Sequence, residues 1–114
     1  MTDCLFCRII AGEIPADVVA RTDRALAFRD IQPQAPVHVL VIPVEHHADV
    51  PAVAEADPAL AAEMLALAAL VARQEGVAES GNRLVANTGL EGGQSVGHAH
   101  IHVLGGRPLG WPPG

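Results

Sequence analysis

Aromatic side chains, long apolar runs and secretory features are all scarce in this chain. Its 114 residues include two Phe, one Trp and no Tyr, so few large side chains are available for a monomeric core, which favours oligomerisation. The longest apolar run, inside ALAAEMLALAALVA, is Ala-rich and contains Glu63, and it is too short and too polar to span a membrane. The N-terminal MTDCLFCRII has no basic region followed by an apolar core, so no secretory signal is predicted and a cytoplasmic location follows as the default.

Positive charge is also scarce. The formal net charge is -6 and no Lys/Arg cluster occurs, which argues against a nucleic-acid polymer as partner, because such binding depends on many phosphate contacts. A single nucleotide is compatible with this composition, since backbone amides can hold one phosphate group.

The apolar pattern predicts one domain over residues 1–114, without linker or internal repeat. A short helix is expected in CLFCRIIAGE. A long helix is expected in ADPALAAEMLALAALVARQEG, where Asp57 can be the N-cap, Pro58 suits the first turn and Gly76 can end the helix.

Five strands are expected in VVART, ALAFRDI, VHVLVIP, RLVANTG and HAHIHVLGG. The first two are separated by Asp23 and Arg24, which predicts a hairpin. Because the helices are not interleaved regularly with the strands, the predicted fold class is α+β with a mainly antiparallel sheet.

Both cysteines lie in Cys4-Leu5-Phe6-Cys7. In a reducing compartment this spacing indicates a metal half-site or a redox pair rather than a structural disulfide. A thioredoxin-like site needs a strand before the motif, and the residues before Cys4 leave no room for one, so a metal half-site is favoured.

Three of the six histidines lie at alternate positions in SVGHAHIHVLGG. On a strand, His98, His100 and His102 would share one face, while the apolar residues between them would face a core packed by the long helix. Such a row fits a decorated solvent-exposed face, a three-histidine metal site or a catalytic surface.

The loop EGGQS before this row favours the catalytic interpretation. Gly92 and Gly93 have no side chains to keep backbone N–H groups away from an anion, and Ser95 can donate to a phosphate oxygen. A neutral imidazole can attack phosphorus if a hydrogen bond at its other nitrogen leaves the attacking nitrogen unprotonated. A neighbouring imidazolium or hydroxyl can stabilise the phosphate and protonate the leaving group, so this chemistry requires no metal.

The motif HAHIHVL resembles the His-φ-His-φ-His-φ-φ signature of the histidine-triad (HIT) family. The resemblance extends to CLFCRIIAGEIPA, ALAFRDIQPQAPVHVLVIPVEHH and NTGLEGGQSVGHAHIHVLGGRPLGWPPG, and the closing LGGRPLGWPPG is similar to the Hint branch, the purine nucleoside phosphoramidases. It implies a HIT-like five-stranded sheet with one long and one short helix. It also implies a homodimer in which the carboxy-terminal WPPG approaches the partner's site.

The implied activity is hydrolysis of the P–N bond in adenosine or guanosine 5′-phosphoramidates, including aminoacyl adenylates on lysine, through a nucleotidyl-histidine intermediate. By position, His100 matches the family's nucleophile and His102 the histidine that contacts phosphate. His98 matches the first histidine of the triad, His38 a supporting histidine on a neighbouring strand, and Ser95 part of the phosphate cradle.

The resemblance also implies a set of nucleotide contacts. Asp30 matches an acid that accepts hydrogen bonds from the ribose hydroxyls, and Ile31 is its neighbour at the nucleoside. Asn87 matches a polar contact near phosphate and ribose, and the Gly93-Gln94 backbone completes the cradle with Ser95. On residue type alone Asp30 and Asn87 would be turn residues. Three apolar residues suggested for the base pocket would likewise be plain core: Phe6, Ile9 and Phe28.

Many bacterial-type HIT proteins look similar at the two cysteines, and the related uridylyltransferases pair such a motif with two histidines. This analogy implies a structural zinc site made by Cys4, Cys7, His46 and His98, with His47 as the alternative to His46. Eukaryotic Hint proteins manage the same chemistry without these cysteines, so zinc is not required for it.

Three other functions are alternatives to this one. A dinucleoside polyphosphate hydrolase belongs to another HIT branch, which is expected to end its triad differently from VLGG and WPPG. A uridylyltransferase-like enzyme would carry Gln at the position of His102. A non-catalytic regulator that binds a purine nucleotide would have the same pocket in sequence, so only turnover separates it from an enzyme.

Overall fold

The computed structural model describes residues 3–114, so the first two residues of the predicted domain lie outside it. Its elements in chain order are α1 (Leu5–Ile10), β1 (Val18–Arg21), β2 (Ala25–Arg29), β3 (Val37–Pro43), α2 (Val50–Ala56), α3 (Pro58–Gln74), β4 (Asn82–Val85) and β5 (Ile101–Gly105). The strands form one sheet in the order β1-β2-β3-β5-β4. All four pairings are antiparallel, which confirms the predicted α+β class.

The long helix α3 covers one face of the sheet. The Asp57 side chain accepts from the Leu60 N–H and Pro58 lies in the first turn, as predicted. Gly76 follows the helix with φ +77°, a conformation that favours glycine after a helix C-terminus. The α3 side chains packed into the core are Leu60, Met64, Leu67, Ala68, Val71 and Ala72. No helix within residues 3–114 is long and apolar enough to cross a membrane.

The opposite face of the sheet carries a smaller apolar cluster under α1. Alternation along β2 and β3 directs four side chains to this face, where Phe6 of α1 packs against them: Leu26, Phe28, Leu40 and Ile42. The rings of Phe6 and Phe28 meet edge to face with centroids 5.5 Å apart. The short helix therefore lies over the sheet face away from α3.

The expectation of one short helix was incomplete, because α2 is a second one. Asp49 caps it by accepting from the Ala52 N–H at 2.8 Å, and Pro51 lies in its first turn. This repeats the Asp-Pro signal that starts α3. The two capping residues, Asp49 and Asp57, are eight residues apart, and each begins its own helix. Asp57 ends α2 and starts α3, so the two helices are separate.

The predicted last strand began too early. β5 starts at Ile101, so His98 and His100 precede it and His102 alone of the triad lies on the strand. The reason is that the Ala99 N–H donates to the His47 carbonyl at 2.7 Å, outside the sheet ladder. The alternation of faces nevertheless holds. Ala99, Ile101 and Val103 belong to the core on the α3 side.

Candidate functional site

Four histidines line up on the sheet face opposite α3. His38 on β3 and His102 on β5 have ring centroids 5.1 Å apart, and His100 follows 5.0 Å from His102. The Phe6 ring packs edge-on against both His100 and His98, with centroid distances of 5.3 and 5.8 Å. His38, His98 and His100 are all buried, so the row is not a decorated solvent-exposed face.

His100 has one ring nitrogen committed to the backbone. Its Nδ1 lies 2.7 Å from the His98 carbonyl oxygen, and because a carbonyl only accepts, Nδ1 must carry the proton. In the neutral ring Nε2 then keeps its lone pair. His100 is among the residues that line the cavity described below. It therefore has the tautomer that a nucleophilic imidazole needs.

The tautomer of His102 follows from a chain of two hydrogen bonds. The Gln34 backbone N–H donates to His38 Nδ1 at 3.0 Å, so a neutral His38 carries its proton on Nε2. His38 Nε2 lies 2.9 Å from His102 Nδ1 and can donate to it. His102 then carries its own proton on Nε2. The result is a donor facing the cavity.

Asp30, His38 and His102 together offer a carboxylate oxygen and two ring nitrogens in one place. The Gln34 N–H already occupies His38 Nδ1, which places the His38 proton on Nε2. A metal ion needs a lone pair on that same Nε2. The trio is therefore a hydrogen bond from His38 Nε2 to His102 Nδ1, with Asp30 Oδ2 3.4 Å from the same His38 nitrogen. The contact from Gln34 is made by its backbone N–H, so the residue types in the sequence do not indicate it.

Burial keeps this part of the row neutral. Burial, with repulsion from His100 and His38, lowers the pKa of His102 to about 4, although Asp30 opposes the shift. Burial likewise lowers the pKa of His38, again against the attraction of Asp30. At neutral pH both rings are uncharged, so His102 acts on a ligand as a neutral N–H donor.

The low pKa of His102 predicts acid-sensitive stability. The unfolded ring has a pKa near 6.5 and the folded ring about 4, so between these values the unfolded state binds the proton. The contribution to stability is complete above about pH 6.5 and is lost as pH falls through 4. With allowance for partial solvent exposure, we expect a loss on the order of 2 kcal/mol. Urea denaturation of wild type and His102→Gln from pH 4 to 7 measures it, and curves of equal pH dependence would contradict the assignment.

A cavity of about 360 Å³ opens beside the histidine row, within the range of roughly 300–1,000 Å³ found for small-molecule sites. His100, His102 and Ser95 form its polar end, and Asp30 lies on its wall with Ile31 and Gln32. Its apolar walls include residues of α1, the following turn and the sheet: Leu5, Phe6, Ile9, Ile14, Pro15, Ala16, Phe28 and Leu40. Phe6, Ile9 and Phe28, which on residue type alone would be plain core, thus line the site.

Asp30 lies at the end of β2, where it has two partners. Its Oδ1 accepts from the Gln32 N–H at 2.8 Å, the turn role expected from residue type. Its Oδ2 faces His38. The neighbouring Ile31 is 92% exposed at the cavity rim, so it can gain burial only from a ligand or a partner.

The glycine-rich loop is braced by Gln94 rather than open. The Gln94 side chain accepts from the Gly89 N–H at 3.0 Å and donates to the Ala48 and Val96 carbonyls at 2.7 and 3.0 Å. The backbone N–H groups of Gly93 and Gln94 donate to the Leu90 and Gly89 carbonyls. These two N–H groups are therefore used within the loop.

The remaining predicted nucleotide contacts divide at this loop. Ser95 lines the cavity, whereas Gly93, Gln94 and Asn87 are not among its lining residues. Asn87 lies half-buried just after β4. A phosphate at the polar end of the cavity would meet Ser95 from this loop.

Gly92 is required sterically where the loop turns on itself. A Cβ at Gly92 would lie 2.3 Å from the Thr88 carbonyl oxygen and 3.0 Å from the Thr88 nitrogen. We expect Gly92→Ala to displace the loop that carries Ser95 and to lower the free energy of unfolding by about 1–3 kcal/mol. For a phosphate-containing substrate held by Ser95, KM should rise about tenfold. Thermal denaturation and steady-state kinetics measure the two effects. Gly97→Ala is the matched control, because no atom lies within 4 Å of its Cβ position, and an equal effect of both changes would argue against steric crowding.

Cys4, Cys7, His46 and His98 converge on one point, as the metal prediction requires. His98 Nδ1 lies 3.3 Å from Cys4 Sγ, 3.6 Å from Cys7 Sγ and 3.1 Å from His46 Nδ1. Cys7 Sγ is 3.3 Å from His46 Nδ1. Ligand atoms around a tetrahedral zinc ion are about 3.3–3.8 Å apart. The three distances that involve sulfur fall in this range and the two imidazole nitrogens are slightly closer, so the four donors fit zinc.

The tautomer of His98 agrees with this ligand set. Its Nε2 lies 2.9 Å from the Pro43 carbonyl, so the proton is on Nε2 and the Nδ1 lone pair faces the two sulfur atoms. Burial lowers the pKa of His98, which favours the neutral ring that a metal requires. His47, the alternative ligand, lies outside the cluster and pairs with Glu45 at 2.7 Å. His98 is absent from the cavity lining, which separates it from the other two members of the triad.

Comparison with known proteins gives one consistent result. A family model for the HIT domain matches residues 11–109. The chain is 50% identical to the purine nucleoside phosphoramidase of Escherichia coli K12, covering 95% of this chain and 91% of that protein. It is 52% identical to an uncharacterized HIT-like protein of Synechococcus elongatus, over 98% and 97% of the two chains.

A solved structure agrees at the level of the fold. The chain is 52% identical to a HIT family hydrolase from Legionella pneumophila Philadelphia 1, with a TM-score of 0.93 over 98% of this chain and all of that one.

Proposed function

This chain belongs to the HIT family, and we propose that it hydrolyses adenosine or guanosine 5′-phosphoramidates at the P–N bond. The observation that carries the proposal is the tautomer of His100, whose Nδ1 donates to the His98 carbonyl at 2.7 Å and whose Nε2 is left for attack. The similarity to a purine nucleoside phosphoramidase at 50% identity supports the reaction type. The other relative described above is uncharacterized, so the substrate is our inference.

In the first step, His100 Nε2 attacks phosphorus and the P–N bond breaks. The leaving nitrogen keeps the bonding pair and takes up a proton, so the amine departs neutral. The Ser95 hydroxyl and His102 Nε2–H are donors at the polar end of the cavity, where they can stabilise the phosphate oxygens or supply that proton. The His98 carbonyl stabilises the positive charge that develops on the His100 ring.

In the second step, water attacks the phosphorus of the nucleotidyl-histidine. The P–N bond to His100 breaks and its Nε2 regains the lone pair, which releases the nucleoside monophosphate. The proton lost by the water restores the group that protonated the amine in the first step. The net reaction consumes one water and yields one amine and one nucleotide. A zinc ion at Cys4, Cys7, His46 and His98 would supply structural support, and neither step uses it.

We assign the nucleoside to the apolar part of the cavity. Asp30 Oδ2 would accept from a ribose hydroxyl while Oδ1 stays bonded to Gln32, and Ile31 would cover the nucleoside from the rim. We assign the phosphate contact of the loop to Ser95, because the N–H groups of Gly93 and Gln94 are engaged within it. Asn87 stays a predicted contact of the phosphate and ribose, and the effect of Asn87→Ala on the Kd for AMP would test it.

The proposal is tested with a fluorogenic adenosine 5′-phosphoramidate and diadenosine tetraphosphate. We expect kcat/KM to favour the phosphoramidate by about 100-fold or more. A reversed preference would indicate the dinucleoside polyphosphate branch. Tight binding of AMP without turnover of either compound would indicate a regulator that binds the nucleotide.

We also propose that the protein forms a homodimer in the cytoplasm, as a single domain. Two exposed apolar side chains support a dimer interface formed by β4 and α3. They are Leu84 on the edge strand β4, which is 42% exposed, and Leu65 on α3, which is 52% exposed. Multi-angle light scattering checks this, and a monomer at micromolar concentration would refute it.

A further inference from the structure

Helix α1 forms one wall of the nucleotide cavity. Leu5, Phe6 and Ile9 line it, although the helix has only six residues. A helix this short is unstable by itself and depends on tertiary contacts. The position of this wall is therefore set by whatever attaches α1 to the rest of the protein.

Two kinds of contact attach α1. Phe6, Ile9 and Ile10 pack into the apolar cluster on the sheet. Cys4, at the N-cap, and Cys7, within the first turn, meet His46 and His98 in the metal cluster. The cluster thus joins three chain segments, because His46 follows β3 and His98 precedes β5.

His98 is held by backbone hydrogen bonds outside the cluster, whereas α1 depends on the cluster and on apolar packing alone. The His98 ring donates to the Pro43 carbonyl, and the next N–H, that of Ala99, donates to the His47 carbonyl. These bonds keep the His98 carbonyl in place for His100 whether or not a metal is bound. The two cysteines meet the imidazole nitrogens at 3.3–3.6 Å, and a metal ion would replace these weak thiol–imidazole contacts by coordinate bonds.

We propose that Cys4, Cys7 and His46 are positioning residues for the nucleotide: by holding a metal ion with His98, they fix α1 as a wall of the cavity. This inference rests on the proposed function for the identity of the ligand. Metal binding is expected to change nucleotide affinity and KM more than kcat, because the wall depends on the cluster and the carbonyl that orients His100 does not.

The first test is titration of AMP into the zinc-loaded protein and into protein dialysed against a chelator, below the melting temperature of both. If α1 is docked in about one tenth of metal-free molecules, the Kd for AMP rises about tenfold on metal removal. KM should rise in parallel while kcat stays within about threefold. A metal that serves overall stability alone would leave Kd and KM unchanged in the folded protein.

His46→Ala is the informative variant, because His46 is exposed and its loss removes one ligand without touching the cavity. We expect this variant to have the weak AMP affinity of metal-free protein with or without added zinc. His47→Ala is the matched control, since its side chain pairs with Glu45 outside the cluster, and it should retain the full zinc response.

Amide hydrogen exchange separates this inference from the proposed function. Zinc should slow exchange in residues 5–10, and His46→Ala should abolish that protection. Unchanged exchange in α1, an unchanged Kd for AMP, or failure of the wild type to bind zinc would each overturn the inference. If zinc protects α1 from exchange but AMP binds neither the zinc-loaded nor the metal-free protein, the proposed ligand is wrong. The inference that the metal cluster positions α1 is then retained.

Discussion

His100→Ala is expected to lower kcat for phosphoramidate hydrolysis by about 10⁴-fold or more. The change removes the only nitrogen proposed to bond to phosphorus, and loss of a nucleophile in covalent catalysis has effects of this size. AMP should still bind with a Kd within about threefold of wild type, because the apolar walls and Ser95 remain.

Two measurements make this result specific to nucleophilic attack. Steady-state kinetics give the loss in kcat. Tandem mass spectrometry of wild type quenched in alkaline denaturant, where the P–N bond survives, should place a nucleotidyl group on His100. The same peptide from His100→Ala should be unmodified. Turnover of the variant within about tenfold of wild type, or a nucleotidyl group on His102 instead, would refute the assignment.

The backbone explains why histidines in one sequence pattern differ in what they can do. His100 donates from Nδ1 to the His98 carbonyl, and His98 donates from Nε2 to the Pro43 carbonyl. His38 instead accepts at Nδ1 from the Gln34 N–H. These three bonds leave Nε2 of His100 facing the cavity and Nδ1 of His98 facing sulfur. Alternation sets the face, and the local backbone partner sets the chemistry.

Much of the fold could be predicted from short-range signals. Asp57 and Pro58 start α3 where expected, and Asp23 with Arg24 separates the strands of the first hairpin. The equivalent signal at Asp49 and Pro51 was missed, because the helix it starts is only seven residues long. Brief helices have little periodicity, so their caps are the main signal in the sequence.

The candidate site was predictable in its residue types and less so in its contacts. Spacing indicated that His98, His100 and His102 share a face, but it placed all three on a strand, whereas β5 starts at Ile101. The Gly-Gly pair suggested open N–H groups. The N–H groups of Gly93 and Gln94 are in fact bonded within the loop. Long-range backbone contacts of this kind have no local signal in a sequence.

His102→Ala is expected to lower kcat by about 10²–10³-fold, and His102→Gln by about tenfold. Loss of one preorganised donor to a charged transition state has an effect of the first size. Glutamine can replace both functions of the neutral ring, because its amide nitrogen can donate to the phosphate and its oxygen can accept from His38 Nε2. The order of rates measured at pH 7 should be wild type, His102→Gln, His102→Ala.

This order distinguishes two roles for His102. Burial, with repulsion from His100 and His38, lowers its pKa to about 4, so the ring is a neutral donor at pH 7 and an amide can substitute for it. If His102 must instead transfer a proton during the reaction, glutamine cannot perform that step and both variants will be equally slow. If the two variants have equal kcat values and unchanged AMP affinity, His102 is the acid that protonates the leaving group. If His102→Gln retains part of the wild-type kcat, His102 instead holds the phosphate.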